Sequence, residues 1–254
     1  MLKAILWDVD GTLAETERDG HLVAFNRAFE ALSIPWRWSE SRYGELLAVA
    51  GGRERLLFDL ERQPLAPPDG VQRAALVERI HRLKNEYYAA IVAGGALPLR
   101  AGVAQLFADC GEAGVAMGIA TTTSAANVAA LLAAHLGDSW RSHFAAVACA
   151  EQAPMKKPDP QVYLQALQTL GLTAGDVLAI EDSPAGVAAA QAAQVAVVVV
   201  RSFYFPRAAV PGALAVGASL GSNRGWQPAS NDAPDQRVQL AQLIRWHRSV
   251  AGGG

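Results

Sequence analysis

Cysteine is nearly absent: Cys110 and Cys149 are the two in 254 residues. They stand far apart in apolar segments, which removes a disulfide framework and a zinc site. Apolar runs such as Val195–Val200 fall far short of the ~20 residues that a membrane helix needs. Neither charge sign dominates, with 22 Lys and Arg against 24 Asp and Glu and a net charge of −2. No Lys/Arg block occurs, so a nucleic-acid partner is not expected. The start has no basic n-region and no small-residue cleavage site, so no signal peptide is expected. The GxxxxGK[ST] loop of P-loop kinases and the glycine fingerprint of dinucleotide dehydrogenases are both missing. What remains is a soluble globular protein, 51% apolar and 18% charged, expected in a reducing cytoplasm as a monomer or small homo-oligomer.

Short apolar runs alternate with helical patterns after residue 95. Val115–Ala120, Ala145–Cys149, Val177–Ile180 and Val195–Val200 read as strands, as does Ala4–Trp7 at the start. Ala101–Ala113, Ala125–His135, Pro160–Leu170, Pro184–Ala193 and Val238–Arg248 read as helices. Continuous apolar strands separated by helices predict a parallel sheet covered on both faces. Ser183-Pro184 supplies an N-cap followed by proline at the first helical position. Residues 17–94 break the alternation: Glu17–Leu32, Ser39–Leu47, Glu54–Leu60 and Val71–Ala93 are helical by pattern, with a proline-rich loop at 62–70. The fold class is therefore α/β, a Rossmann-like parallel sheet core (1–16 and 95–254) with an inserted all-helical cap domain (17–94). The Gly/Ser/Asn/Pro-rich stretch 217–235 reads as a surface loop.

In open parallel sheets ligands bind beyond the carboxyl ends of the strands. Reading only those ends gives Asp8-Val9-Asp10, Thr121-Thr122-Thr123 and Glu181-Asp182-Ser183, with Lys156-Lys157 ahead of a proline-capped helix. Clustered carboxylates repel one another unless a cation or protons neutralise them. Asp8, Asp10, Glu181 and Asp182 are hard oxygen donors without a His or thiolate beside them, a set that selects Mg2+ and leaves room for a phosphate. A carboxylate can attack phosphorus to form an aspartyl-phosphate, and a second one two residues on can protonate the leaving oxygen and then activate water. Thr121 and Lys157 can hold phosphoryl oxygens where charge accumulates. The bland rival for Asp8 and Asp10 is a solvated Asp-Gly turn; agreement among several strand ends weighs against it.

These residues resemble the haloacid-dehalogenase-like phosphatases, matching their four motifs in order at Asp8-Val9-Asp10-Gly11-Thr12, Thr121, Lys157-Pro158 and Glu181-Asp182-Ser183. The resemblance implies Asp8 as nucleophile and Mg2+ ligand, and Asp10 as general acid/base that gives the metal its backbone carbonyl. It implies Thr121 and Lys157 as phosphoryl-holding groups, and Asp182 with Glu181 as the rest of the metal site. Further stretches, "DVDGTLAETE", "GGRER", "ATTTSAANV", "KKPDPQVY" and "SFYF", are similar to the CbbY type, xylulose-1,5-bisphosphate phosphatases of Calvin-cycle operons. Arg53 stands where that type has Lys, and the segment after Glu17 is one residue longer.

A sugar bisphosphate needs an anchor for its second phosphate. Arg53 and Arg55, after Gly51-Gly52, are expected to form a fork with a backbone N–H cradle; a solvated helix face is their rival. Glu17 is expected to accept from sugar hydroxyls, Tyr43 to line the pocket, and Thr122 and Thr123 to meet substrate. His21 reads as an ordinary helix residue, Glu15 as surface or hinge, and Trp36 and Trp38 as cap packing. The competing functions are a β-phosphoglucomutase-like phosphomutase, a phosphoglycolate phosphatase and a non-catalytic phosphosugar sensor. A dehalogenase is disfavoured by Asp10, since attack on carbon leaves no alkoxide to protonate.

Overall fold

A computed structural model describes residues 1–63, 67, 69–229 and 236–251. The proline-rich loop at 62–70 and the stretch 217–235 thus lie partly outside the described residues. Six strands form one parallel sheet: β1 (Ala4–Trp7), β2 (Ala116–Ala120), β3 (Ala146–Ala148), β4 (Val177–Glu181), β5 (Ala196–Val200) and β6 (Ala215–Gly217), in the order β3-β2-β1-β4-β5-β6. Five agree with the apolar runs to within a residue. The sixth has three residues at the sheet edge and too little pattern to be read from sequence.

Alternation along each strand divides the side chains between two layers. Ile5, Trp7, Ile119, Leu178, Ile180 and Val198 pack on one face with α5 (Val103–Ala113), α6 (Ala125–Leu136) and α9 (Leu240–Ala251). Ala4, Leu6, Ala179, Val197 and Val199 pack on the other with α7 (Gln161–Leu170) and α8 (Pro184–Ala192). Burial of each large side chain contributes about 1.5–3 kcal/mol. Gly118 lets β2 pass Leu6, whose Cδ2 would lie 2.7 Å from a Cβ there.

The expected surface loop at 217–235 is corrected in its described part. Leu220 and Trp226 are buried, Trp226 stacks on Trp246 with ring centroids 4.9 Å apart, and Gln227 pairs with Val216. Gly217 makes this possible, because the Trp226 ring fills the place of its missing side chain.

Between β1 and α5 the described residues hold one isolated bridge, Asp10 to Ala14, and otherwise helices and turns: a π-helical turn Glu17–Leu22, α1 (Val23–Ala31), α2 (Glu40–Leu46), α3 (Gly52–Leu60) and α4 (Gly70–Ala93). Ser39 and Asp69 cap α2 and α4 by accepting from Arg42 N and Gln72 N. Phe25, Phe29, Trp38, Tyr43, Leu60 and Ile80 form a third apolar cluster. Helix α4 belongs to two clusters, since Tyr88, Ile91 and Val92 pack with the sheet. Trp38 is buried in this cluster and donates its Nε1 hydrogen to Asp59 at 2.6 Å.

Candidate active site

The sheet order brings the motif-bearing ends together. Register pairs Trp7 with Ile119 of β2 and with Ile180 of β4, so Asp8 lies level with Ala120 and Glu181, and Thr121 and Asp182 follow one residue further along the adjacent strands. The strand order reverses at β1, with β2 and β3 to one side and β4 to β6 to the other, and such a switch point is where open α/β sheets bind ligands. Gly11, at φ 85°, turns the chain back; a side chain on it would overlap Asp182.

Lys157 is the electrostatic centre. Its ammonium is buried and donates to Asp8 Oδ1 at 2.7 Å, Glu181 Oε1 at 2.6 Å and Ala120 O at 2.8 Å. Carboxylate oxygens of Asp8, Glu181 and Asp182 lie within 4.8 Å of one another. All three donors are hard, and one buried ammonium does not neutralise three carboxylates, so the set fits a small divalent cation. Glu181 differs from the other two. Its Oε1 also accepts from Tyr163 OH at 2.6 Å and its Oε2 from Asp182 N at 3.2 Å, so it is committed to holding Lys157. Asp182 accepts from Ser202 Oγ at 2.5 Å.

Burial pushes the Asp8 carboxyl up to about 7, against Lys157 and with Glu181 and Asp10. Burial, with Asp8 and Glu181, also raises Asp182 well above the carboxylate range. A carboxyl raised in the folded state keeps a proton there that the unfolded chain has released. Metal-free stability should therefore be lost as pH rises from 3.8 through about 7. A bound Mg2+ would displace that proton, so the rise in melting temperature on adding Mg2+ should be larger at about pH 8 than at about pH 5.5. An equal rise at both would overturn this reading of the cluster.

Asp10 is held the opposite way. Burial works to raise it, but the charge on His21 and hydrogen bonds from His21 and Thr16 outweigh burial and hold it at about 2. Thr16 Oγ1 donates at 2.6 Å, and His21 Nε2 lies 3.0 Å away, both at Oδ1. His21 is buried and stacks on Tyr88, 4.4 Å between centroids. The wide π-helical turn carries both Glu17 and His21, a common setting for functional residues.

Two adjoining cavities, about 170 and 90 Å³, open here. The smaller holds Asp8, Asp182 and Lys157; the larger is lined by Lys84, Arg53, Lys156 and Thr123; Asp10, Glu17, Gly51, Arg55 and Thr122 border both. Gly52 also lines the larger. Thr121 is buried at the strand end, where its Oγ1 accepts from Thr123 N at 3.3 Å.

Two sequence expectations change. Tyr43 is fully buried and lines neither cavity. It sits behind the site, where its hydroxyl donates to Glu17 and accepts from Arg55 at 2.7 Å. Arg53 and Arg55 form no fork: Arg55 is buried over the Tyr43 ring, whereas Arg53 is exposed and pairs with Glu78 at 2.7 Å. Glu15 accepts from Phe203 N at 3.2 Å.

His21 and Lys84 were not expected in the site. Lys84 is buried against the rings of Phe25 and Tyr88; burial, opposed by Asp10 and Glu17, holds its ammonium at about 8. Arg100 was also missed. It donates to carbonyls of Gly11, Arg201 and Ala218 and so ties the turn after β1 to the loops after β5 and β6. His21 and Arg100 carry no local signature, whereas Lys84 stands on the stripe Val77, Ile80, Tyr88 and Ile91 of α4.

The haloacid dehalogenase-like hydrolase family pattern matches residues 2–194. Over 250 residues the chain is 44% identical to the plasmid-borne protein CbbY of Cupriavidus necator, covering 98% of each. CbbY of Rhodobacter capsulatus is 43% identical over 203 residues, 80% of this chain and 87% of that one. A crystal structure of a CbbY variant from Rhodobacter sphaeroides in complex with xylulose-1,5-bisphosphate superposes with a TM-score of 0.83 at 36% identity, covering 96% of this chain and 99% of that one.

Proposed function

Since this chain belongs to the haloacid dehalogenase-like hydrolases and is a sugar-phosphate phosphatase, we propose that it removes the 1-phosphate of xylulose-1,5-bisphosphate with Mg2+ through a phosphoryl group carried on Asp8. The observation that carries this reading is one binding space with two anion-seeking poles. At one pole Lys157 and the acidic cluster surround Asp8. At the other, Lys84, Arg53, Arg55 and Lys156 line the larger cavity beside Asp10, Glu17, Glu54 and Glu151. Arg53 and Arg55 are ion-paired with Glu78 and Glu17, which leaves Lys84 and Lys156 as the cations a second phosphate would meet. The 1,5-bisphosphate bound by the Rhodobacter relative has that two-ended charge.

Residues 1–16 and 95–254 form the catalytic core in this proposal, and residues 17–94 the cap that supplies the second pole. Asp8, Asp182 and the Asp10 carbonyl would hold Mg2+, while Glu181 serves through Lys157. When bound, Mg2+ offsets phosphoryl charge and keeps Asp8 ionised. Asp8 attacks phosphorus and its oxygen forms the new P–O bond as the bond to the sugar oxygen breaks. Lys157 and Thr121 hold the equatorial oxygens. Asp10 gives the leaving oxygen a proton, then takes one from the water that attacks the phosphorylated Asp8 and releases phosphate. Asp10 Oδ1 is occupied by Thr16 and His21, which leaves Oδ2 for this traffic. A substrate phosphate beside it raises its proton affinity, as the first step needs. A cytoplasmic setting fits the free thiols of Cys110 and Cys149.

The test is a screen of sugar mono- and bisphosphates with and without Mg2+, scoring free phosphate and isomerised sugar. Mg2+-dependent phosphate release with preference for the bisphosphate is expected; isomerised product without net phosphate release would make the chain a mutase. Within that screen, Lys84→Ala should raise KM for the bisphosphate about tenfold or more, the worth of a lost charge-assisted bond, and Arg53→Ala less. Equal losses with p-nitrophenyl phosphate, which has no second phosphate, would reject the anchor.

A further inference from the structure

The stretch Ser202–Phe205 follows β5 and has no role in the chemistry above. It nevertheless spans from the acidic cluster to the helical segment in four residues. Ser202 Oγ donates to Asp182. Phe203 N donates to Glu15, and its ring lies 4.4 Å beneath the Arg18 guanidinium. Tyr204 packs edge-on to Phe203, centroids 5.1 Å apart, and its other neighbour is Tyr43 at 5.7 Å. Gly44 of α2 leaves the room: a Cβ there would come within 3.0 Å of Tyr204 Cδ1. Phe205 lines the smaller cavity, but Tyr204 lines neither. The Tyr204 hydroxyl is buried without a partner, so its contact is made by the ring.

Tyr43 is what the ring supports, and Tyr43 in turn bonds both Glu17 and Arg55. A continuous path therefore runs from Asp182 through Ser202 and Tyr204 to Tyr43, and from there to two residues that border both cavities. We propose that Tyr204 is a positioning residue for substrate selection: its ring seats Tyr43 and α2 so that Glu17 and Arg55 face the sugar while the phosphoryl pole is held. The selectivity part rests on the bisphosphate reading above; the coupling of Tyr204 to α2 does not.

Two substitutions and two readouts test it. Tyr204→Ala should lower kcat/KM for xylulose-1,5-bisphosphate at least about tenfold and leave that for p-nitrophenyl phosphate within about twofold. Tyr204→Phe should match the wild type, because the hydroxyl bonds to nothing. Hydrogen exchange should quicken at the α2 amides in Tyr204→Ala and stay unchanged in β1. Unchanged exchange in α2, equal losses on both esters, or a Phe variant as impaired as the Ala variant would each overturn the proposal. A wild-type protein that leaves the bisphosphate intact, while α2 still responds to Tyr204→Ala, would overturn the substrate reading and leave the coupling standing.

Discussion

Asp8→Asn is expected to lower phosphate release by at least about four orders of magnitude, the scale on which a lost nucleophile registers. The amide matches the carboxylate in shape and keeps an oxygen to accept from Lys157, 2.7 Å away, so the chain should fold as before. It cannot form the acyl-phosphate bond. The substitution also removes a buried carboxylate whose pKa burial has already pushed to about 7, so metal-free stability near neutral pH should be equal or higher. Two measurements decide: phosphate release, and equilibrium dialysis of the bisphosphate with Mg2+ present. Binding without turnover is the expected pair. Residual turnover above about 1% would mean that another group attacks phosphorus. A wild type that binds the bisphosphate but hydrolyses no phosphate ester would make the chain a sensor.

What sequence alone reveals here follows from how local each signal is. β1, β2 and β4 are apolar runs that stop abruptly at polar residues, and their ends are Asp8, Thr121 and Asp182; burial pattern and chemistry coincide in one short stretch, so both are readable. Glu17 and Gly51 are found through the resemblance to the CbbY type, in the stretches "DVDGTLAETE" and "GGRER". Lys84 is the counter-example. It lies mid-way along α4 among Arg79, Arg82 and Glu86, which read as one solvated face, yet it is buried while Arg82 is exposed. Its steps of four residues from Ile80 and Tyr88 place it on the buried stripe of α4, beside Phe25 of α1, a position that its charge disguises. Tyr43 fails the other way: an aromatic expected at the pocket lies behind it, because Tyr204 and Gly44 draw its ring into the interface. The pair Arg53 and Arg55 reads as one anchor, but two residues apart on α3 they face different surroundings. Contacts made across the fold escape a local reading.

Lys157→Met should produce the largest loss of stability, and its pH dependence identifies the cause. Methionine fills a similar volume but leaves Asp8 and Glu181 without the ammonium that lies 2.7 and 2.6 Å from them. Stripping one partner from a buried ionic cluster costs about 3–5 kcal/mol, because the remaining charges cannot reach water. Burial opposes charge on Lys157, but Asp8 and Glu181 outweigh it and raise its pKa above the ordinary 10.5. The contribution of the lysine is therefore fully present below 10.5 and does not titrate between about pH 5 and 8. Any change of the deficit across that window must come from the carboxylates. Without the ammonium, Asp8 binds its proton more tightly still, so the variant recovers stability as pH falls and the gap to wild type narrows. Mg2+ should narrow it as well at about pH 8, by neutralising the same oxygens. Urea denaturation of both proteins at about pH 5.5 and about pH 8, with and without Mg2+, supplies the comparison. A deficit that ignored both pH and Mg2+ would mean that Lys157 contributes by packing against Tyr163, whose ring centroid is 5.2 Å away, and that the acidic cluster does not depend on it.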